Sequence, residues 1–182
     1  MKGIIFTEFL ELVEDKFGLE TLDDIIELSD LPSGASYTSV GTYDFNEMVS
    51  LLGNLSEVTK IPAGDLLHAF GLYLFEGLNR SHPWVIENYT SPIPLIYAIE
   101  DHIHVHVKKL YPDAVLPTFK MLEKTDDSLR MIYKSDRGLY RLAQGLIEKT
   151  FIYFNETATV TYELLNEKGT EVKFHIAKNG DR

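Results

Sequence analysis

The sequence predicts an α+β fold, with a helical amino-terminal part followed by a four-stranded antiparallel sheet packed on a helix. Apolar residues recur at helical spacing through roughly the first 111 residues. After Pro117 the apolar period changes to two, and a helical stretch separates two such segments. With 182 residues, of which 45% are hydrophobic, the chain has enough apolar material to bury a core as one domain.

Each helix of the amino-terminal part is predicted from its apolar stripe and from the residues that begin or end it. Pro32-Ser33-Gly34 ends the second helix, and Tyr43-Asp44 begins the third. Pro62 lies in the first turn of the fourth, and a longer helix from Ser91 to Tyr111 ends at Pro112. The stripes consist of Ile4, Ile5, Phe9, Leu12, Val13, Leu22, Ile25, Ile26, Leu28, Val49, Leu51, Leu52, Leu66, Leu67, Phe70, Leu74, Phe75 and Leu78.

Two β-hairpins and a helix between them are predicted for the carboxy-terminal part. The turn-forming segments Thr125-Asp126-Asp127 and Asn166-Glu167-Lys168-Gly169 each separate residues that alternate between apolar and polar. Residues 138–154 return to helical spacing. The alternating apolar residues are Phe119, Met121, Leu129, Met131, Tyr133, Val160, Tyr162, Leu164, Val172, Phe174 and Ile176.

Charge and composition exclude several classes of function. The 28 acidic residues outnumber the 17 basic ones, and the resulting net charge of −11 disfavours binding to a phosphate backbone. The lack of Cys excludes disulfides, thiolate-bound metals and a Cys nucleophile. The acidic amino end does not have the pattern of a signal peptide, and the apolar run 93–99 is too short to span a bilayer. We therefore expect a cytoplasmic protein that binds neither nucleic acid nor a membrane.

Three of the six histidines, His102, His104 and His106, fall within five residues. On a helix His102 and His106 share a face at a spacing that can chelate a metal, whereas His104 projects to a different side. Spacing alone therefore favours the outer pair. Glu100 and Asp101 lie too close in sequence to supply a clear third zinc ligand, so a His-ligated zinc hydrolase stands as an alternative only.

The motif Tyr133-x-Ser135-x-Arg137 is predicted to lie in an extended strand, where alternate residues point the same way. Two hydroxyls and a guanidinium then converge on one side, an arrangement that suits carboxylates. Residues 108–150 carry nine basic against six acidic side chains, so an anionic ligand would find its counter-charge there. The alternative is an edge strand whose polar face meets water.

The many aliphatic and aromatic residues of the amino-terminal helices are compatible either with an ordinary hydrophobic core or with a slot for a large flat apolar ligand. No sequence pattern separates these two structures. A carrier of an apolar ligand is therefore a further alternative.

Taken together, three features resemble the haem-nitric oxide/oxygen binding (H-NOX) domain, the sensor domain related to that of soluble guanylate cyclase. They are the opening Met1-Lys2-Gly3-Ile4-Ile5, a His followed by Tyr111-Pro112 and Pro117, and Tyr133-x-Ser135-x-Arg137 before a helix. The resemblance covers nearly the whole chain and implies a single domain, residues 1–182, with haem b between two subdomains. These would be a distal helical subdomain at about residues 1–62 and a proximal α+β subdomain at about residues 63–182.

The resemblance also implies roles for individual residues. It makes His104, which precedes Pro117 by 13 residues, the proximal iron ligand in place of the outer pair. Pro117 and Ile5 would contact the porphyrin from opposite sides and distort it. The haem propionates would be bound by Tyr133, Ser135 and Arg137, and the distal pocket would consist of Phe9, Leu74, Leu142 and Leu146.

The choice of gas follows from the distal residues. Family members that hold O₂ keep a distal Tyr where this chain has Leu142, and bound O₂ needs a hydrogen-bond donor that NO does not need. The resemblance therefore implies a ferrous NO sensor that also binds CO, excludes O₂ and is not an enzyme. NO would weaken or break the bond between iron and His104. We expect no effector domain after residue 182, and the resemblance then implies that a separate histidine kinase, diguanylate cyclase or phosphodiesterase reads the change.

Overall fold

The protein, represented by a computed structural model that describes residues 1–180, consists of helices followed by an α+β region, which confirms the predicted fold class. Within these residues the α-helices are α1 (Gly3–Phe17), α2 (Leu19–Leu28), α3 (Phe45–Thr59), α4 (Ala63–Ser81), α5 (Pro92–Tyr97), α6 (Val105–Leu110) and α7 (Tyr140–Tyr153). The strands are β1 (Thr118–Lys124), β2 (Ser128–Lys134), β3 (Ala158–Leu164) and β4 (Glu171–Lys178).

The amino-terminal helices form one apolar core because their stripes face each other. Helix α3 begins where predicted, since the Asp44 carboxylate accepts a hydrogen bond from the Asn46 backbone N–H at 2.9 Å. The buried core residues come from α1 to α4 and are Phe6, Phe9, Leu12, Val13, Leu22, Ile25, Met48, Leu51, Leu52, Leu55, Leu66, Phe70 and Leu74.

Helix α4 connects this core to the rest of the molecule because it also packs against α7. Gly71 and Gly145 allow the two backbones to touch: a Cβ at Gly145 would lie 2.3 Å from the His68 carbonyl oxygen. Since α4 contributes to the first core and contacts α7, it belongs to both halves. A subdomain boundary near residue 62 therefore stays a prediction.

Both predicted hairpins are present in an antiparallel sheet of order β1-β2-β4-β3. In its centre Met131 pairs with Phe174 and Tyr133 pairs with Val172, and all four of these residues are buried. Helix α7 supplies Ile147 and Phe151 to the same core. The sheet therefore packs on the helix that separates the two hairpins.

The predicted single helix from Ser91 to Tyr111 is wrong in one respect. A π-helical turn, Ile99–His104, separates α5 from α6, and the Ile103 N–H bonds to the Ala98 carbonyl five residues earlier at 3.2 Å. One inserted residue leaves the apolar spacing on either side intact, so periodicity does not reveal it. Such turns often occur at functional sites, and this one ends at His104. No helix within residues 1–180 is long and apolar enough to cross a membrane.

Candidate functional site

A cavity of about 400 Å³ lies between the amino-terminal helices, the π-helical turn with α6, the segment that leads into β1, and α7. We call it the central cavity. Its lining is mainly aliphatic and includes Ile4, Ile5, Leu74, Leu78, Ile86, Leu95, Ile96, Ile99, Ile103, Val107, Leu116, Pro117, Leu142, Leu146 and Ile147. Apolar walls with a few polar groups are typical of a site for a cofactor or a small ligand.

His104 reaches this cavity from the end of the π-helical turn. Its Nδ1 lies 2.9 Å from Glu100 Oε1, which engages one ring nitrogen and leaves Nε2 for a ligand. The His104 side chain is only 14% exposed. Burial lowers the pKa of His104, and the nearby Glu100 carboxylate only partly opposes this effect. The imidazole is therefore favoured in its neutral form, the form that binds a metal.

The other two histidines of the cluster lie outside the lining of the central cavity. His102 Nδ1 is 2.7 Å from the Tyr89 hydroxyl, and His106 Nδ1 is 2.8 Å from the His102 carbonyl oxygen. Their ring centroids are 4.7 Å apart, so they share a face as their spacing predicts. Of the three histidines, His104 is the one that the fold brings to the cavity.

Tyr133, Ser135 and Arg137 all line the cavity, but not as consecutive residues of one strand. Strand β2 ends at Lys134, and Ser135 follows in a turn. The Ser135 backbone N–H donates a hydrogen bond to the Thr170 carbonyl oxygen at 2.9 Å. The expectation of an extended strand through Arg137 is therefore wrong. The three polar groups converge because the turn folds the chain back toward α7, and Gly138 supplies the positive φ of 62° that this turn requires.

Arg137 and Tyr133 are suited to hold carboxylates. Arg137 donates to the Val115 carbonyl at 3.1 Å and packs over the Phe45 ring, and it forms no ion pair within the part of the chain that the structure describes. Its charge is thus available to a ligand. Burial raises the pKa of Tyr133, which keeps the phenol protonated and able to donate a hydrogen bond.

Three of the four predicted distal-pocket residues, Leu74, Leu142 and Leu146, line the cavity, and so do Ile5 and Pro117. Phe9 does not. Its ring packs edge-on against Phe70 at 5.2 Å within the amino-terminal core, where it is fully buried. One edge of the apolar stripe of α1 packs in the core, and the other edge lines the cavity. Hydrophobic periodicity does not distinguish these two edges.

The tyrosines nearest in sequence to the pocket residues point elsewhere. The Tyr73 hydroxyl donates to Asp15 Oδ2 at 2.9 Å, and the Tyr140 ring packs on Tyr162 with centroids 5.0 Å apart. Neither side chain lines the cavity. The Thr150 hydroxyl, which does line it, already donates to the Leu146 carbonyl at 2.8 Å.

One end of the cavity carries polar residues that the sequence patterns do not identify. Lys2 Nζ contacts Thr42 Oγ1 at 2.7 Å and Asp113 Oδ1 at 3.3 Å, and it lies 5.0 Å from the centre of the Tyr111 ring. The hydrogen bond from Thr42 lowers the pKa of Asp113, as does Lys2. The His82 ring, which also lines the cavity, lies 6.4 Å from the Tyr111 ring, and Asn79 is a further polar residue of the lining.

These residues fit a haem. A flat macrocycle needs an apolar slot, its iron needs a neutral imidazole nitrogen, and its propionates need cationic and hydroxyl donors at one edge. The central cavity supplies all three through its aliphatic walls, His104 and the group around Arg137. A zinc site is not supported, because among residues 1–180 no group of three His, Asp or Glu side chains comes together to hold a metal ion.

Comparison with known proteins agrees with this chemistry. The family model described as haem-NO-binding matches residues 2–162. The Fe(II) unliganded H-NOX protein from K. algicida is 52% identical, with 100% of this chain and 98% of that chain covered and a TM-score of 0.96. The H-NOX from Shewanella woodyi in the Fe(II)CO state, bound to IWP-051, is 38% identical over 98% and 95% of the two chains with a TM-score of 0.83.

A curated relative, soluble guanylate cyclase gcy-35 from Caenorhabditis elegans, is 24% identical over 169 residues. The match covers 88% of this chain but 24% of that protein, so the chain spans about a quarter of the cyclase. The matched family region, the similarity to solved H-NOX structures and the fit of the cavity all lead to one assignment. The chain belongs to the H-NOX family of haem-binding gas-sensor domains.

Proposed function

We propose that this H-NOX domain is a ferrous haem sensor that binds NO, also binds CO, and excludes O₂. The observation that carries the proposal is that the half-buried imidazole of His104 lines the same cavity as the apolar side chains of Leu74, Leu142 and Leu146. When bound, haem supplies an iron centre with an open position for a diatomic gas.

The residues of the chain would hold the cofactor at three places. His104 Nε2 would bind the iron, with Nδ1 held by Glu100. Tyr133, Ser135 and Arg137 would donate hydrogen bonds to the propionates. Pro117 and Ile5, which also line the cavity, would press on the macrocycle.

Exclusion of O₂ would follow from the lack of a hydrogen-bond donor at Leu74, Leu142 and Leu146. A bound O₂ carries partial negative charge on its outer oxygen and is stabilised by a hydrogen bond, whereas NO binds ferrous haem strongly without one. Leu142 offers no hydrogen-bond donor, and the hydroxyls of Tyr73 and Tyr140 are directed away from the cavity.

Signalling would depend on release of the His104 imidazole. The π-helical turn and α6 carry His104, and β1 lies next to them, so a freed imidazole would allow these elements to move against the amino-terminal helices. A partner that binds the two states with different free energies would sense the change. We propose a histidine kinase, diguanylate cyclase or phosphodiesterase as that partner, and a cytoplasmic location stays a prediction.

Absorption spectra of the purified ferrous protein test the proposal. We expect a Soret band, new spectra with NO and with CO, and no stable oxy spectrum in air. His104→Gly should abolish haem binding unless imidazole is added, whereas His102→Ala and His106→Ala, the matched controls, should retain it. A colourless protein after growth with haem precursor, or loss of haem from either control alone, would overturn the assignment of His104. Equal inhibition of a partner kinase by NO-bound and NO-free protein would refute the signalling step.

A further inference from the structure

We infer that Glu100 is a positioning residue that strengthens the bond between His104 and iron and ties that ligand to the sheet. The inference rests on the proposed role of His104 as the iron ligand. One carboxylate oxygen, Glu100 Oε1, lies 2.9 Å from His104 Nδ1 and 2.9 Å from the Phe119 backbone N. The same atom therefore contacts the π-helical turn and the second residue of β1.

These contacts fix which nitrogen of His104 binds the iron. A carboxylate oxygen accepts hydrogen bonds, so the proton of the pair belongs to His104 Nδ1. The remaining nitrogen, Nε2, then carries the lone pair that a metal needs. Metal-bound histidines generally donate their other N–H to an oxygen in this way, and the oxygen orients the ring and raises its basicity.

The negative charge of Glu100 distinguishes His104 from its neighbours. His102 Nδ1 is bonded to the neutral Tyr89 hydroxyl, and His106 Nδ1 is bonded to a neutral backbone carbonyl. A carboxylate partner draws the Nδ1 proton more strongly and so increases electron density at Nε2, which makes the imidazole a stronger ligand. Of the three histidines, His104 is therefore the one whose Nδ1 is hydrogen-bonded to a charged group.

The bond to Phe119 gives Glu100 a mechanical role as well. The Phe119 ring also packs near the His104 ring, with centroids 6.0 Å apart, so strand β1 contacts both the imidazole and its partner. The Glu100 and His104 side chains are 30% and 14% exposed, so water screens their hydrogen bond only in part. Any movement of His104 away from the iron must break these bonds or carry β1 along.

Glu100→Gln tests the inference, because the amide retains an oxygen that accepts hydrogen bonds but carries no charge. Asp101→Asn is the matched control, since it removes a neighbouring charge from an exposed side chain that does not touch His104. Resonance Raman spectra of the ferrous protein should show the iron–His stretch at lower frequency in Glu100→Gln and unchanged in Asp101→Asn. With NO, the ratio of five- to six-coordinate complex should rise about 10-fold or more in Glu100→Gln only.

A second measurement reports the hydrogen bond directly. In the diamagnetic Fe(II)CO form, nitrogen-15 NMR should show a slowly exchanging proton on His104 Nδ1, and its resonance should move in Glu100→Gln. Suppose that the iron–His band disappears in His104→Gly but that Glu100→Gln and Asp101→Asn give identical Raman and NMR spectra. This result would refute the role of Glu100 and leave His104 as the proposed ligand. An iron–His band that persists in His104→Gly would instead refute the proposed ligand.

Discussion

Replacing Gly145 by Ala tests how closely α4 and α7 must approach each other. The new methyl group would lie 2.3 Å from the His68 carbonyl oxygen and 2.9 Å from both Gly71 Cα and Leu72 N. All three are backbone atoms, so rotation of a side chain cannot relieve the clash. Ordinary contact begins at 3.4 Å, and the helices must therefore separate by about 1 Å.

The expected magnitude combines two opposing effects. Overpacking costs about 1–3 kcal/mol of unfolding free energy, and the better helix propensity of Ala returns up to about 1 kcal/mol. We therefore expect Gly145→Ala to lose about 1–2 kcal/mol. Gly53→Ala is the control, because a Cβ at Gly53 in α3 meets nothing within 4 Å. It should gain about 0.5–1 kcal/mol.

Urea unfolding at matched haem loading, followed by far-ultraviolet circular dichroism, measures both variants. The denaturant slope should stay the same, so that a shift of the midpoint reports stability. If Gly145→Ala proves as stable as Gly53→Ala, the direct contact between the α4 and α7 backbones is not required for the native packing.

Three further predictions concern the cavity and the buried carboxyl group of Glu8. Leu142→Tyr places a phenol in the apolar wall and should give a stable oxy spectrum in air, and continued failure to bind O₂ would show that a donor at this position is insufficient. Arg137→Gln should speed haem transfer to apomyoglobin about 10- to 100-fold through loss of charge-assisted hydrogen bonds. Asp113→Asn should change the transfer rate less than about 5-fold because the Asp113 carboxylate is exposed, and similar rates for the two variants would contradict this ranking. Burial raises the pKa of Glu8 above its ordinary 4.5. Near that pH the native state therefore retains a proton that the unfolded chain releases, and proton binding stabilises the native state. This contribution to the unfolding free energy is lost as the pH rises through the native pKa. The unfolding free energy of the unmutated protein minus that of Glu8→Gln should therefore fall as the pH rises above about 4.5. A difference that does not change with pH would refute the raised pKa of Glu8.

The predicted order of helices and strands is confirmed because each element has a local signal. Helix α3 begins after Asp44, and α4 begins after Pro62. The first hairpin turns at Thr125, whose hydroxyl accepts from the Ser128 N–H at 2.9 Å. The π-helical turn is the exception, because one extra residue does not disturb the apolar pattern on which the prediction rests.

For the candidate site, local patterns indicate residue types but not their surroundings. The family resemblance points to His104, and the fold brings it to the cavity, while its role as a ligand stays a prediction. The contact of Glu100 with Phe119 spans 19 residues of sequence, and that of Lys2 with Asp113 spans 111. Spacing rules hold within one helix or strand and do not reach such pairs.

The sequence by itself determined the α+β class, the two hairpins and the residues that resemble the H-NOX motifs, because periodicity and turn chemistry act over a few residues. Tertiary structure alone decided that Phe9 belongs to the core, that Ser135 and Arg137 reach the cavity from a turn, and that Glu100 also accepts a hydrogen bond from Phe119 of β1. These outcomes depend on how helix faces and strand ends meet across the molecule. That geometry is set by the packing of the whole chain, of which any short segment carries only a part.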